Sequence, residues 1–126
     1  VLIKDNHLAG LATTSARPVA EAIERARKAA PAGTIVEVEV DGLEQLREAL
    51  AAGPDIVLLD NMTTGMLTDA VALRDTLAPE VLLEASGGVR RDTVKAIAAT
   101  GVDRISAGAL THSAPALDLG LDFEGK

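Results

Sequence analysis

Short apolar runs alternate with longer amphipathic segments along most of the chain, and this alternation constrains the fold more than any other feature. The apolar runs predict five β-strands, at residues 1–4, 34–40, 55–60, 81–86 and 102–108. The segments between them predict four helices, at residues 15–30, 43–52, 65–77 and 90–100. Strands that alternate with helices form right-handed βαβ units and a parallel sheet. The predicted fold class is therefore α/β.

The predicted helices have apolar faces and recognisable ends. Ser15 is a candidate cap for the first helix and Asp92 for the last, and Gly101 closes the last one. The third helix has an apolar stripe formed by Met66, Ala70, Leu73 and Leu77. The strand and helix lengths suit a (β/α) barrel, and they also suit an open doubly wound sheet.

The composition limits the classes of function. The chain has 126 residues, of which 48% are hydrophobic, enough for one domain with a core. Its formal net charge of −7 argues against a general nucleic-acid or membrane-surface partner. It has no cysteine, which excludes disulfides, thiolate nucleophiles and cysteine-ligated zinc and fits a cytoplasmic protein. No apolar run approaches the ~20 residues that a membrane helix needs.

Polar residues collect at the carboxyl end of every predicted strand. They are Lys4 to His7, Glu39 and Asp41, Asp60 and Asn61, Glu84 with Ser86 to Gly88, and Ser106 to Gly108. The carboxyl ends of parallel strands lie on one face, which carries the active site of a barrel and borders the ligand crevice of an open sheet. We expect a ligand site on this face, with Asp5, Asn6 and His7 beginning a loop over its rim.

The stretch “VEVEV” at residues 36–40 places three valines on one side of its strand and two glutamates on the other. The valines suit packing against helices, so Glu37 and Glu39 would point into the barrel. Carboxylates there are costly unless they are paired, hydrated or near a ligand, and Lys4 is a plausible partner. The alternative is an edge strand whose glutamates face water. Asp60 has two interpretations as well, a turn cap or a ligand group.

Two glycine stretches, “EASGGV” and “ISAGAL”, close the last two predicted strands. Glycine lets the backbone turn sharply and approach a ligand, and successive N–H groups at such turns bind phosphate. The loops after the last two strands of a barrel are a common phosphate site. This predicts phosphate binding by Ser86, Gly87, Gly88, Ala107 and Gly108.

The two histidines and the possible metals give weaker signals. His112 is interpreted as mostly structural, whereas a role for His7 stays open. No spacing resembles a side-chain metal site, so Mg²⁺ brought by a phosphate-bearing substrate fits better than a direct ligand set. The chain also begins inside a predicted strand, which suggests part of a longer protein.

Six stretches stand in the order and spacing of one enzyme family: “VLIKDNH”, “EVEVDGLEQLREAL”, “DIVLLDNM”, “LEASGGV”, “TGVDRISAGALTHS” and “LDLGLDF”. Together they make the chain resemble quinolinate phosphoribosyltransferase, also called nicotinate-nucleotide pyrophosphorylase (carboxylating). The resemblance implies that residues 1–126 are one partial domain, the later strands of an incompletely closed TIM-like barrel. It also implies that an N-terminal domain and the first barrel strands lie outside this chain.

The resemblance further implies a reaction and a set of roles. Family members transfer a phosphoribosyl group from 5-phosphoribosyl-1-pyrophosphate to quinolinate with Mg²⁺. Nicotinate mononucleotide, pyrophosphate and CO₂ are released, which feeds NAD biosynthesis. Lys4 resembles the family's lysine near the substrate carboxylate and pyrophosphate, and Glu39 and Asp60 resemble its acidic residues near the ribose and the metal. The two glycine stretches resemble its 5′-phosphate loops. Homodimers or larger oligomers are implied as well.

Other interpretations remain open. Aldolases, epimerases and indole-glycerol-phosphate type synthases are also phosphate-binding barrels, and a molybdenum-transport-associated relative would act on another substrate. The chain could also bind phosphate without catalysis. A half-barrel leaves strand edges exposed, so we expect residues 1–126 alone to be inactive and prone to association.

Overall fold

The sheet consists of five parallel strands that pair in their order along the chain. The computed structural model describes residues 1–112. The strands are β1 Leu2–Ile3, β2 Glu37–Val40, β3 Ile56–Asp60, β4 Leu82–Ser86 and β5 Arg104–Ile105. Their order is β1-β2-β3-β4-β5, without the reversal that defines a doubly wound sheet. In the part of the chain that is described, β1 and β5 do not pair, so the predicted portion of an unclosed barrel is confirmed.

The helices pack side by side along this sheet. They are α1 Asp5–Ala12, α2 Pro18–Ala29, α3 Leu43–Ala52, α4 Thr64–Leu77, α5 Val94–Ala98 and α6 Ala109–His112. Helix α2 packs against α3, and α3 packs against α4. Helix α3 has the predicted bounds, because its leucines repeat at helical spacing and Gly53 ends it in the left-handed conformation, at φ 69°.

The core lies between the sheet and these helices. Alternate strand residues point toward the helices and are buried, among them Val36, Val38, Val40, Val57, Leu59, Leu83 and Ala85. The helices bury their own apolar faces against them, including Val19, Ile23, Leu46, Leu50, Leu67 and Ala70. Full burial of a valine or leucine side chain contributes about 1.5–3 kcal/mol. The other face of the sheet is the one that would line a barrel.

The first helix, α1, was not predicted, and the expected loop over the rim is wrong. Asp5, Asn6 and His7 form its first turn instead. The backbone N–H of Lys4 donates to Nδ1 of His7 at 3.1 Å, which satisfies a donor at the helix start. Further along, Leu8 is buried in the core. Local capping and the packing of Leu8, together with the partly buried Leu11, against the core give this stretch a helical conformation.

Several further boundaries differ from the prediction, and β1 and β2 are also shorter than predicted. Ser15 does not cap α2, because its hydroxyl accepts from the N–H of Arg17, ahead of the helix. Asp92 does not cap α5 either; its carboxylate lies 3.4 Å from Nε of Arg90. Helix α5 is preceded by turns and is shorter than predicted. Strand β5 is shorter as well, because its pairing with β4 covers only two residues.

The buried face of α4 is shifted from the predicted stripe. Leu67, Ala70 and Arg74 are buried, whereas Leu77 is 48% exposed. Arg74 can be buried because its guanidinium makes three hydrogen bonds. Its Nη1 donates to Asp103 at 2.6 Å and to the Val81 carbonyl at 3.0 Å, and its Nε donates to Asp75. A distant partner therefore sets the rotation of this helix.

The amino ends of the strands carry the same Arg–Asp arrangement twice. Before β5, Asp103 accepts from Arg74 and from the N–H of Leu83, a residue 20 positions earlier. Before β3, Asp55 accepts from Arg27 at 2.9 Å and from the N–H of Val36, 19 positions earlier. Each aspartate thus ties the start of its strand to the preceding strand and helix. This end of a barrel commonly serves stability.

These aspartates make stability depend on acid pH. The hydrogen bond from Arg27 and that from the Val36 N–H lower the pKa of Asp55 below its ordinary 3.8. Partial burial opposes a lowered pKa at Asp103, but the Leu83 N–H and Arg74 outweigh it. A lowered folded-state pKa gives stability that is present above pH 3.8 and lost as pH falls through the folded value. Urea unfolding of the complete gene product should show this loss.

Two variants control that pH experiment. Asp103→Asn should flatten the acid decline, because the titrating group is gone. Glu37 acts with the opposite sign, since burial and then the charge of Glu84 raise its pKa above 4.5. Ionisation of Glu37 therefore lowers stability as pH rises above 4.5, and Glu37→Gln should remove this decrease. An acid decline unchanged in Asp103→Asn would contradict the assignment for that residue.

Candidate active site

The face of the sheet opposite the valines presents charged and polar side chains toward the carboxyl ends of the strands. The register aligns Glu39 with Leu58, Leu58 with Glu84, and Glu84 with Arg104. Two residues further along, Asp60 is aligned with Ser86. Strand β2 lies between β1 and β3, so its glutamates are not on an edge strand. The prediction that Glu37 and Glu39 point away from the helices is confirmed.

Lys4 and Glu39 form the predicted ion pair. Nζ of Lys4 lies 3.7 Å from Oε2 of Glu39, and the glutamate side chain is only 16% exposed, against 53% for the lysine. The pairing follows from the register, because Ile3 is aligned with Val38 and the next residues are therefore neighbours. The lysine offsets part of the cost of burying the carboxylate.

A cleft of about 340 Å³ opens at this end of the sheet. Among its lining residues are two of the predicted site residues, Glu39 and Asp60. Three further carboxylates, Asp5, Asp41 and Glu48, also line it. The Glu48 carboxylate is occupied in part, because it accepts from the N–H of Ala20 at 2.8 Å. The cleft is thus strongly acidic, with Lys4 beside Glu39 at its edge.

The structure adds Asn61 to the predicted residues. Its Nδ2 donates to Oδ2 of Asp60 at 2.7 Å, and its backbone N–H donates to the Ser86 carbonyl at 2.9 Å. Its φ of 52° is in the left-handed region, where asparagine is more common than most residues. An Asn directly after a strand was the available signal, but its partners depend on the fold.

The first glycine stretch forms a sharp turn beside Asn61. Gly87 and Gly88 have φ of 90° and 60°, a region that disfavours other residues. A Cβ on Gly87 would lie 2.2 Å from Oδ1 of Asn61, so a side chain has no room there. Neither glycine N–H donates to a backbone carbonyl within residues 1–112. Within residues 1–112 these two N–H groups are therefore free of a backbone acceptor, as an anion site needs.

The second glycine stretch is tied to the first through β4 and β5. The N–H of Ser106 donates to the Ala85 carbonyl at 2.9 Å, and its hydroxyl donates to the Glu84 carboxylate. The Gly108 carbonyl accepts from the N–H of Thr111 at 2.9 Å. Ala107 and Gly108 thus lie at the carboxyl end of β5, next to the strand that leads into Gly87 and Gly88. The predicted neighbourhood of the two stretches is confirmed, whereas their phosphate binding stays a prediction.

The structure shows a contact for one of the two histidines, His7. His7 accepts the Lys4 N–H through Nδ1, so its imidazole caps α1. The side chain of His112 lies outside the described residues, as does the stretch “LDLGLDF”. Among the described residues, no group of three or more His, Asp or Glu side chains is arranged to hold a metal ion.

Residues 1–122 match the family “Quinolinate phosphoribosyl transferase, C-terminal domain”. The chain belongs to this family. It is 48% identical over 122 residues to the nicotinate-nucleotide pyrophosphorylase [carboxylating] of Mycobacterium leprae, covering 97% of this chain and 41% of that protein. It is 41% identical to a probable enzyme of the same name from Bacillus subtilis, covering 97% of this chain and 39% of the relative.

The fold agrees with this family. The solved structure of NadC from Streptococcus pyogenes superposes with a TM-score of 0.78 at 38% identity, over 94% of this chain and 39% of that one. The chain therefore spans about two fifths of the length of the curated relatives that it matches. Within residues 1–112, no helix is long and apolar enough to cross a membrane.

Proposed function

We propose that the protein containing this chain transfers a phosphoribosyl group from 5-phosphoribosyl-1-pyrophosphate to quinolinate. The products would be nicotinate mononucleotide, pyrophosphate and CO₂, on the route to NAD. The observation that carries the proposal is the meeting of Glu39 and Asp60 in one cleft, at the strand ends that also lead into the Gly87–Gly88 turn. The names of the relatives support the same reaction.

The carboxylates suit the charge that develops during this transfer. The bond from ribose C1 to the pyrophosphate oxygen breaks, and the pyridine nitrogen of quinolinate forms a new bond to C1. The ribose becomes oxocarbenium-like on the way, and fixed carboxylates such as Glu39 and Asp60 stabilise its positive charge. Loss of the adjacent carboxylate as CO₂ leaves the electron pair on the ring carbon next to the nitrogen, and a proton from water then adds to that carbon to give nicotinate mononucleotide.

The glycine turns would hold the other end of the substrate. Open N–H groups at Gly87 and Gly88 are suited to the 5′-phosphate, with Ser86, Ala107 and Gly108 next to them. A phosphate fixed there would place C1 of the ribose near the carboxylates. Holding both reactants in this way accounts for a large part of the rate enhancement that enzymes achieve.

The acidic cleft requires cations before anionic substrates can enter. Lys4 supplies one positive charge beside Glu39. Because the described residues form no direct metal site, Mg²⁺ fits as an ion carried by the pyrophosphate, with Glu39 and Asp60 reached through water. Bound Mg²⁺ would neutralise charge on the leaving pyrophosphate. Further cations for the quinolinate carboxylates would come from the rest of the protein.

The enzyme's cellular location and oligomeric state are proposed as well. We place it in the cytoplasm, in keeping with the absence of cysteine. We also propose a homodimer or larger oligomer, as the family resemblance implies, with small-molecule substrates and no nucleic-acid partner.

The direct test uses the complete gene product with quinolinate, phosphoribosyl pyrophosphate and Mg²⁺. Nicotinate mononucleotide should form in proportion to the pyrophosphate released. A polypeptide of residues 1–126 is the control and should give no product. No product from the complete protein, together with no binding of quinolinate, would rule the proposed reaction out.

Replacing Gly108 with valine should raise the KM for phosphoribosyl pyrophosphate about tenfold or more. The valine side chain would keep the 5′-phosphate away from the backbone, and one lost hydrogen bond to a charged group is worth roughly that factor. The KM for quinolinate should change little. Gly42→Val is the matched control: Gly42 also follows a strand, but its φ is −153° and a Cβ there meets no atom within 4 Å. Equal substrate affinity in both variants would refute the phosphate-loop assignment for Gly108.

A further inference from the structure

Asn61 stands at the junction of the two loops that the proposed reaction uses. Its loop follows β3 and the catalytic carboxylate Asp60, and the neighbouring loop contains the Gly87 turn. It is the one non-glycine residue with a positive φ among residues 1–112. A residue held in this region by its surroundings often marks a functional site.

Three contacts from Asn61 reach both loops. Nδ2 donates to Oδ2 of Asp60 at 2.7 Å, which fixes the direction of that carboxylate. The backbone N–H donates to the Ser86 carbonyl at 2.9 Å, which ties the end of β3 to the end of β4. The Oδ1 atom lies against Gly87, at 2.2 Å from the place where a Cβ would be.

The contact with Gly87 explains why these two residue types face each other. Gly87 has φ of 90°, and the space that a side chain would need is taken by Asn61. Its backbone N and Cγ also lie within 2.9 Å of the Cβ position. The amide group therefore contacts the carboxylate on one side and the glycine turn on the other.

We propose that Asn61 is a positioning residue that holds the Asp60 carboxylate and the Gly87 turn in one fixed relation. This inference rests on the proposed function. A phosphoribosyl substrate has its reacting carbon and its 5′-phosphate at opposite ends of the ribose, so both ends are bound well only if the two loops keep their separation. Misplacement of a substrate by 1 Å can cost about 100-fold in rate.

The simpler role for Asn61 is that of a residue tolerated in a left-handed turn. Asn61→Gly separates the two roles, because glycine adopts φ of 52° at no steric cost but lacks the amide. A turn residue would be replaced without loss. A positioning residue would leave a folded protein with weakened catalysis.

The kinetic experiment compares variants of the complete gene product. Asn61→Gly should keep the thermal midpoint of the wild type within about 2 °C. Its kcat/KM for phosphoribosyl pyrophosphate should fall about 10- to 100-fold, while the KM for quinolinate stays within about twofold. Asn61→Asp keeps the oxygen facing Gly87 but removes the donor to Asp60. Its kcat/KM for phosphoribosyl pyrophosphate should therefore fall at least as far as that of Asn61→Gly.

The control variant is Thr76→Ala, near the carboxyl end of α4, where the hydroxyl donates only to the Ala72 carbonyl of its own helix. It should match the wild type in kcat and in both KM values. Wild-type kinetics for Asn61→Gly would overturn the inference while leaving the proposed function intact.

A thermal cycle tests the junction without relying on activity. Gly87→Ala should lower the melting temperature by several degrees more in the wild-type background than in Asn61→Gly, because the side chain that blocks the new methyl group is then absent. Equal losses in the two backgrounds would overturn the link between the loops. If the wild type forms no product, the proposed function fails, and this cycle alone decides whether Asn61 joins the loops.

Discussion

Replacing Arg74 with alanine is expected to lower the free energy of unfolding by about 3 kcal/mol, the scale observed when one partner of a buried ion pair is removed. The Arg74 side chain is only 9% exposed. It donates to Asp103, Asp75 and the Val81 carbonyl. The variant leaves the Val81 carbonyl without that donor, and a buried acceptor without a partner adds to the cost. It also leaves a gap between α4 and the sheet.

The measurement is equilibrium urea unfolding of the complete gene product near neutral pH. Arg25→Ala is the matched control, because Arg25 pairs with Glu21 one helical turn away and its side chain is 65% exposed. The control should shift the unfolding midpoint very little. Arg74→Lys should fall between the two, since an ammonium cannot reproduce the planar set of donors. Equal effects of Arg74→Ala and Arg25→Ala would show that the buried network does not stabilise the fold.

Arg74 also shows where sequence patterns stop predicting structure. The prediction gives helix α4 almost to the residue, but its buried face is shifted, because the predicted stripe contains only apolar residues and leaves Arg74 out. Its burial depends on Asp103, which is 29 positions away in the chain. The hydrophobic periodicity of one helix cannot predict a pair such as Arg74 and Asp103, because the two residues belong to different elements. The strands were easier, because alternation and continuous apolar runs are local signals.

Helix α1 was missed for a related reason. The residues after Lys4 are polar and resemble a loop, while the apolar anchor Leu8 comes only in the second turn. The capping bond from the Lys4 N–H to His7 is local, yet histidine is not among the usual capping residues. A helix that starts with an unusual cap and has one buried side chain gives almost no periodic signal.

The placement of the polar side chains at the strand ends was predicted better than the helix boundaries. Because parallel strands all end at one face, the positions of Glu39, Asp60 and the glycine stretches follow from the order of elements alone. The ion pair of Lys4 with Glu39 follows from strand register. Asn61 could not be found in that way, because its partner Gly87 lies on another loop and its left-handed backbone is set by the packing of both. The chemical roles of these residues stay predictions.

Replacing Glu39 with glutamine should reduce turnover about 100- to 1,000-fold, as the loss of one preorganised electrostatic group typically does. Glutamine keeps the shape but removes the negative charge that would stabilise the oxocarbenium-like ribose. Stability should hardly change, because the partner of Glu39 is Lys4, which is 53% exposed and can be hydrated once the charge is gone. The effect should therefore be seen in kcat and not in the urea midpoint.

The matched control is Glu37→Gln, on the same strand and the same face. Glu37 is two residues nearer the amino end and does not line the cleft formed by Glu39 and Asp60. Its replacement should leave turnover within about twofold of the wild type and should not lower stability, because its pKa is raised by burial and by Glu84, so its charge is unfavourable in the folded state. If Glu39→Gln lost stability in step with activity, or if both variants lost activity equally, the carboxylate would belong to the architecture of the barrel and not to the chemistry at its rim.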